Sequence, residues 1–425
     1  MPTTVAYCPQ EFRGIKPRPA ARVGERVNAG DTLFYDKTHT EIRFLSPVSG
    51  TVKEIRRGRR RVITDYVVEV EGNEVTAFPT FTPEQLRGIS RDDAARALAS
   101  GGLWSLLRTR PLDRIPAFGD VPQSIHISAM ETGPLQPGVD VLLSADDAPF
   151  MQAGVDLLNA LTDGSVSLAV RQGTSHPALS SLQNVQLHQF AGPHPAGDPV
   201  VQINLLDPPR GSGQVWYLRA WDVVLIGKLL LEGRFPAERV YAAVGAGAKA
   251  PRYVRTVLGA PLSDIVGDVI PDKTRWIRGS VLTGTATDSE RWAGWFSRAV
   301  HVLPESVERH MWGWALPNFG TYSFHRFYLS GLLGTNKRHD LRPGLYGGVR
   351  TIIPVGYYGK VVVTPDILPE FLFKSIIAGD LEESIKLGLL DLSMEEAALC
   401  TYVCPSKIEF DELLREGIEF YEREA

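Results

Sequence analysis

Three periods of apolar residues succeed one another along the chain. From Val23, the run V-G-E-R-V-N-A-G-D-T-L-F and, after a gap, F-L-S-P-V-S-G-T-V carry apolar residues in short alternating stretches cut by Gly24, Gly30 and Gly50. Short alternating stretches between turn-forming glycines predict β-strands. I-T-D-Y-V-V-E-V-E-G (Ile63 to Gly72) predicts one more, so residues 1–75 are expected to be all-β. From 76 to 118 the spacing turns helical, with Leu86, Ala95, Leu98 and Leu103 as its apolar positions. Thr82-Pro83-Glu84 is a helix start, with Thr as N-cap and Pro at the first helical position, and Pro111 ends the stretch. A helical linker is expected there.

Residues 119–236 mix both periods. S-I-H-I-S-A-M, S-V-S-L-A-V (Ser165 to Val170) and N-V-Q-L-H-Q-F (Asn184 to Phe190) read as strands. D-D-A-P-F-M-Q-A-G-V-D-L-L-N-A-L-T-D-G and L-R-A-W-D-V-V-L-I-G-K-L-L-L-E-G read as helices stopped at Gly164 and Gly233. This alternation predicts an α/β, Rossmann-like sheet. The first 75 residues have the spacing of a biotinyl/lipoyl-like barrel-sandwich domain. Residues 237–300, with R-V-Y-A-A-V-G and W-I-R-G-S-V-L-T-G, predict a small β-grasp-like unit, and 301–364 a β-rich segment dense in glycine and aromatics. Residues 365–425 predict a C-terminal helical domain, with Ser393-Met394-Glu395-Glu396 as the capping box of one last long helix. The expected fold class is α/β plus β, multidomain.

Composition narrows what these elements can do. Hydrophobic residues make up 44% and charged residues 22% of the chain, ordinary for a globular protein. Lys and Arg number 45 against 49 Asp and Glu, and a formal net charge of −4 argues against a dedicated nucleic-acid binder. Cys8, Cys400 and Cys404 are too few for a disulfide framework and fit a reducing compartment. The N-terminal M-P-T-T-V-A-Y-C-P-Q lacks the apolar core of a signal peptide. The longest apolar stretch, Trp221 to Gly233, is broken by Lys228 and is shorter than the ~18 residues of a membrane span. Any membrane association is expected to be peripheral or through a partner.

Several stretches carry candidate chemistry. Cys400-Thr-Tyr-Val-Cys404-Pro405 matches the last two cysteines and the proline of the bacterial iron–sulfur run C-x2-C-x2-C-x3-C-P. The other two ligand positions fall on Met394 and Ala397, so the motif reads as a degenerate remnant, two helix-packed thiols with no metal. Gly245-Ala246-Gly247-Ala248-Lys249-Ala250 has the G-x-G-x-x-A form of a dinucleotide loop, yet Pro251 follows where a helix is required, and a tight turn is the better reading. Lys37 lies farther from Ser46-Pro47-Val48-Ser49-Gly50 than the modified lysine of a lipoyl or biotin carrier, so an unmodified lysine is expected. The basic run Lys53, Arg56, Arg57, Arg59, Arg60 and Arg61 reads as a solvated hairpin tip, with anionic headgroups or an acidic partner as the alternative.

Two further loops are candidates for binding. Met130-Glu131-Thr132-Gly133-Pro134-Leu135 follows the first α/β strand, and loops at the carboxyl ends of parallel strands line the usual ligand crevice. Glu131 is a hydrogen-bonding candidate there, with a plain surface turn as the equal alternative. Pro193-His194-Pro195 fixes His194 in place for a hydrogen bond to a carbonyl oxygen or for binding a proton, against the plainer reading of a structural histidine. H-E-x-x-H, G-x-S-x-G and P-loop patterns are absent from the sequence.

Taken in order, these stretches resemble the NqrA family, one of the subunits of the Na+-translocating NADH:quinone reductase. The resemblance runs through V-G-E-R-V-N-A-G-D-T-L-F-Y-D-K, S-P-V-S-G-T-V, G-G-L-W-S-L-L-R-T-R-P, H-I-S-A-M-E-T-G-P-L, G-P-H-P-A-G, W-D-V-V-L-I-G-K, G-S-V-L-T-G, W-G-W-A-L-P and A-L-C-T-Y-V-C-P-S-K. It implies a peripheral subunit on the cytoplasmic face of the bacterial inner membrane, docked on the membrane subunit NqrB. It implies that this chain binds no cofactor of its own, the flavins and iron–sulfur centres residing on other subunits, and that it is associated with the ubiquinone or menaquinone site. Met130, Glu131, Leu135 and His194 are the expected quinone-binding residues. The complex passes electrons from NADH to quinone and exports Na+. Two alternatives stay open: a flavin- or NADH-binding module like those of the Rnf complex or complex I, and an assembly scaffold without a small-molecule ligand. The family carries further residues before the segment matching Val5, including a first strand, so either the barrel-sandwich domain is incompletely closed or the start is truncated.

Overall fold

The glycine-punctuated first 75 residues fold into two small sheets. The computed structural model describes residues 2–270, 273–305, 312, 316–319, 322, 324, 326, 328–332 and 352–424. It begins with β1 (Thr4–Tyr7), β2 (Pro17–Pro19), β3 (Arg26–Val27), β4 (Thr32–Asp36), β5 (Arg43–Leu45), β6 (Gly50–Arg57) and β7 (Ile63–Val70). One sheet has the order β1-β7-β6-β3 and the other β2-β4-β5. Phe34 and Phe44 stack with centroids 4.4 Å apart, and Tyr66 from the first sheet lies 5.8 Å from Phe34, so the two sheets share an aromatic core. β1 pairs antiparallel with β7 from Thr4 opposite Glu69 to Tyr7 opposite Tyr66, because the apolar V-A-Y run buries fully and Ala6 N–H finds the Gly259 carbonyl at 2.9 Å on its free edge. Of the basic run, Arg59, Arg60 and Arg61 form the exposed tip of the β6–β7 hairpin while Lys53, Arg56 and Arg57 lie within β6, and Lys37 lies in the turn after β4.

The next stretch opens as its residues predict. Thr82 and Gln85 cap α1 (Pro83–Arg87) reciprocally, and Ser90 caps α2 (Arg91–Ser100). The supposed linker also contributes a strand, β8 (Arg108–Arg110). There follow β9 (Ser124–Ala129), α3 (Val139–Leu142), α4 (Ala148–Leu161), β10 (Val166–Arg171), α5 (Pro177–Ser180), β11 (Gln186–Phe190), α6 (Pro199–Leu206), β12 (Val215–Arg219) and α7 (Ala220–Glu232). The sheet order is β11-β10-β9-β12-β8. β9 to β12 are mutually parallel, and β8 closes the edge antiparallel to β12. The chain therefore builds outward from β9 in one direction and then returns to its other side with β12. That reversal is the switch point of a doubly wound sheet. α4 packs on α7, and the approach is so close that a Cβ on Gly227 would lie 1.8 Å from the Phe150 carbonyl oxygen.

Beyond Gly233 lie β13 (Glu238–Val244), β14 (Arg252–Val257), α8 (Leu262–Val266), β15 (Thr274–Arg278), β16 (Thr285–Thr287) and β17 (Ala299–Pro304). β15 pairs antiparallel with both β16 and β17. Most of the stretch 306–351, and with it the expected β-rich segment and much of W-G-W-A-L-P, lies outside the described residues. The tail comprises α9 (Pro369–Ala378), α10 (Leu381–Lys386), α11 (Met394–Val403) and α12 (Phe410–Glu424). The Ser393–Glu396 capping box is present. The single last long helix is corrected to two, because Pro405 has no N–H with which to continue α11. The chain divides into two compact units, 1–242 with 253–265 and 289–299, and 243–252 with 266–288 and 300–425.

Candidate functional site

The loops at the switch point hold a polar cluster built from both sides of β9. Loop residues just past a strand end must find partners for backbone groups the ladder no longer serves. Here one side chain supplies several. Arg219, the last residue of β12, donates from Nη1 to the Met130 carbonyl at 3.1 Å and to the Gly197 carbonyl at 2.9 Å, and its Nη2 lies 3.7 Å from the Glu131 carboxyl. Its guanidinium also sits 5.6 Å from the Trp221 ring centre. Glu131 Oε1 in turn accepts from the N–H groups of Thr132 and Gly133 at 2.9 and 2.8 Å. Thr132 Oγ1 accepts from Gly197 N–H at 2.9 Å and lies 3.1 Å from His194 Nδ1. Gly197 is required there, since a Cβ would lie 2.8 Å from both the Met130 carbonyl and Thr132 Oγ1.

Glu131 and His194, 63 positions apart in sequence, thus meet through Thr132. Met130 joins by its carbonyl, while its side chain is only 1% exposed. Leu135 is 48% exposed, with a left-handed φ of 56°, on the same loop but outside the hydrogen-bonded cluster. Sequence reasoning missed Arg219 and the role of Thr132. The signal that could have found Arg219 is its place at the carboxyl end of a strand, the same position that singled out Met130 and Glu131.

The switch point lacks the short glycine loop running straight into a long helix that cradles a dinucleotide. The loop after β9 carries Glu131 and runs nine residues before reaching α3, a helix of only four residues. Arg219 ties the two loops across the crevice. The other candidate, Gly245–Ala250, leads into a strand, β14, and not into a helix. Gly247 N–H there bonds the Val302 carbonyl at 2.9 Å, so the glycines serve a turn.

The cysteine motif has become core. Cys400 and Cys404 are both fully buried, one turn apart, with Cys404 N–H donating to the Cys400 carbonyl at 2.9 Å. Tyr358 Oη donates to Cys404 Sγ at 3.2 Å. Burial pushes the Cys400 thiol far up, with Glu396 and Glu370 adding to the rise. The position where another ligand would sit, Ala397, faces the same core. Among the described residues no three His, Cys, Asp or Glu side chains converge to hold a metal ion, and no helix is long and apolar enough to cross a membrane.

The architecture and site define a class: a multidomain protein with a barrel-sandwich domain ahead of a doubly wound α/β domain whose switch-point loops are bridged by side chains. Comparison narrows the class to one family. Residues 1–71 match the NqrA N-terminal barrel-sandwich hybrid domain, 89–235 the NqrA second alpha/beta domain and 240–289 the NqrA C-terminal domain. A Klebsiella pneumoniae protein described as the NqrA subunit of a Na(+)-translocating NADH-quinone reductase is 39% identical over 99% of this chain and 94% of its own. Proteins of the same description from Pasteurella multocida and Vibrio atlanticus are each 38% identical over 100% of this chain and 94% of their own. The chain belongs to the NqrA family of Na+-translocating NADH-quinone reductase subunits. Among solved structures, an NAD+-reducing NiFe-hydrogenase aligns over 53% of this chain and 49% of its own at 13% identity and a TM-score of 0.38.

Proposed function

We propose that this chain works as the NqrA subunit of a complex that passes electrons from NADH to ubiquinone or menaquinone and exports Na+. The observation that carries this is end-to-end similarity, at 38–39% identity, to proteins so described. In this reading the chain sits on the cytoplasmic face of the membrane, docks on the membrane subunit NqrB, and carries no flavin or iron–sulfur centre itself. The crevice tied by Arg219 and the buried protonated thiol of Cys400 support the last point. The strands β15 to β17 with their neighbours are taken as a β-grasp-like unit.

The loops at the carboxyl end of β9 adjoin the quinone in this proposal. An imidazole at His194 is a donor suited to a quinone carbonyl oxygen, and Leu135 offers exposed apolar surface on the same loop as Glu131. Met130 contributes through its backbone carbonyl.

Two measurements test the reading. An absorption spectrum with iron analysis of the purified chain is expected to be featureless in the visible and free of iron, and a flavin band would overturn the cofactor-less assignment. Quinone-analogue titration of the intact complex is expected to weaken with His194→Ala and Glu131→Ala. Unchanged affinity in both removes this loop pair from the quinone site.

A further inference from the structure

Behind the His194 loop lies a buried chain of hydrogen bonds that the cluster described above does not use. His126 and Ser128 lie on one side of β9, and Met130 follows just past its end. His126 is buried, and its Nδ1 lies 2.8 Å from Ser167 Oγ on β10. Its Nε2 lies 2.9 Å from Gln202 Oε1 on α6. Gln202 is wholly buried and donates from Nε2 to the Ala196 carbonyl at 2.9 Å, two residues past His194.

The direction of each bond follows from the one before. The Ala196 carbonyl can only accept, so Gln202 must turn its amide nitrogen towards it; the flipped amide would set two acceptors 2.9 Å apart. Gln202 Oε1 then faces His126 and can only accept, so the imidazole carries its proton on Nε2. Nδ1 is left as an acceptor, and the Ser167 hydroxyl donates to it. Burial holds the ring neutral by pushing its pKa down to about 4; Gln202 opposes the shift, while His188 and Arg219, the titratable and charged groups facing it, add to it. The chain therefore keeps one arrangement throughout the neutral range. From the opposite side, Thr132 and Arg219 hold Gly197 by its N–H and its carbonyl.

We propose that His126 and Gln202 are positioning residues: through Ser167, His126, Gln202 and the Ala196 carbonyl, the middle of β9 sets where the His194 loop stands over the end of β9. The inference rests on the reading of His194 as part of the quinone site.

Gln202→Glu tests it. The introduced carboxyl keeps the shape and still accepts from His126, but when ionised it sets an acceptor against the Ala196 carbonyl, and when protonated it donates again. In the intact complex the quinone KM is expected to rise about five- to tenfold at alkaline pH, the size of one lost hydrogen bond, and to return towards wild type as the pH falls. The rate of NADH oxidation with an artificial acceptor should stay unchanged. In the full chain alone, the His194 ring signals and amide exchange across 193–197 should follow the same pH course. A simple packing defect would not recover with acid. If Gln202→Glu does not fold, Ser167→Ala, which removes only the far anchor, should displace the His126 and His194 signals to a smaller extent. His194 signals unmoved by either variant overturn the proposal. If those signals move, KM does not, and His194→Ala also leaves KM alone, the positioning role stands and the quinone reading falls.

Discussion

The end of β9 and the buried side of α11 hold the side chains that look most reactive in the sequence, and their environments treat them in opposite ways. Around α11, Ala397, Ala398, Cys400 and Val403 all face core, so the sulfurs enter it as small apolar groups. The acid nearest them in the helix, Glu396, is consumed as a structural acceptor: it takes N–H groups from Val363 at 2.8 Å and Thr364 at 2.9 Å, the Thr364 hydroxyl at 2.8 Å and Ser393 N–H at 3.3 Å. Around β9, strand ends and loop turns leave backbone groups to be served, and Arg219, Glu131 and Thr132 gather there to serve them. A cysteine spacing therefore predicts a metal site only where enough ligands converge. A polar site can arise with no sequence motif where topology brings strand ends together.

The comparison is most easily broken at Glu396. Glu396→Ala leaves four buried or half-buried donors without their acceptor, at about 1–3 kcal/mol for each that water does not reach. A loss of about 4 kcal/mol in denaturant unfolding is expected, with Glu396→Gln milder. A loss below about 1 kcal/mol would show that Glu396 is not the structural keystone of this region.

The β9 side should respond to acid. The folded-state pKa of His126 is about 4, below its ordinary value of about 6.5, so the unfolded chain takes up this proton first as pH falls. The stability it contributes is complete above about pH 6.5 and is lost as the pH approaches 4, at most about 3 kcal/mol. His126→Phe should flatten that part of the stability–pH curve, and an unchanged slope would refute the assignment.

Arg219→Met keeps the stem but removes the guanidinium. It should cost about 2 kcal/mol and raise hydrogen exchange in 130–138 and 193–197 before anywhere else. Uniform change over the whole first unit would contradict the local tie. The smallest effect is expected from Cys400→Ala, about 1 kcal/mol, since only a small buried group is lost. In the native protein neither Cys400 nor Cys404 should react with a thiol reagent until denaturant is added.

Local signals were legible where one residue's chemistry decides the backbone. Thr82 with Pro83, Ser393 with Glu396, the Gly233 stop at φ 65°, and the strands S-I-H-I-S-A and S-V-S-L-A-V all stand where their residues place them. Met394 and Ala397 at the other two cluster positions were legible as well, because a side chain that cannot ligate iron is visible without a structure. Only part of the site was legible. Met130, Glu131 and His194 stood out as loop residues after strands, but Leu135 stays outside the cluster.

The sequence by itself determined the capped helix starts, the strands β9 to β11 of the α/β sheet and the family, while β8 and β12 fell in stretches read as helix or left unassigned. Only the tertiary structure decided that β12 returns to the far side of β9, which brings Arg219 to Met130 and Gly197 and sets Gln202 between His126 and the His194 loop. It alone gave β1 its partner in β7 and split the last helix at Pro405. The physical reason is reach. Caps, turns and apolar periods act over a few residues and are written locally, whereas hydrogen bonds between strand ends join residues many tens of positions apart, and their partners exist only once the sheet order is set.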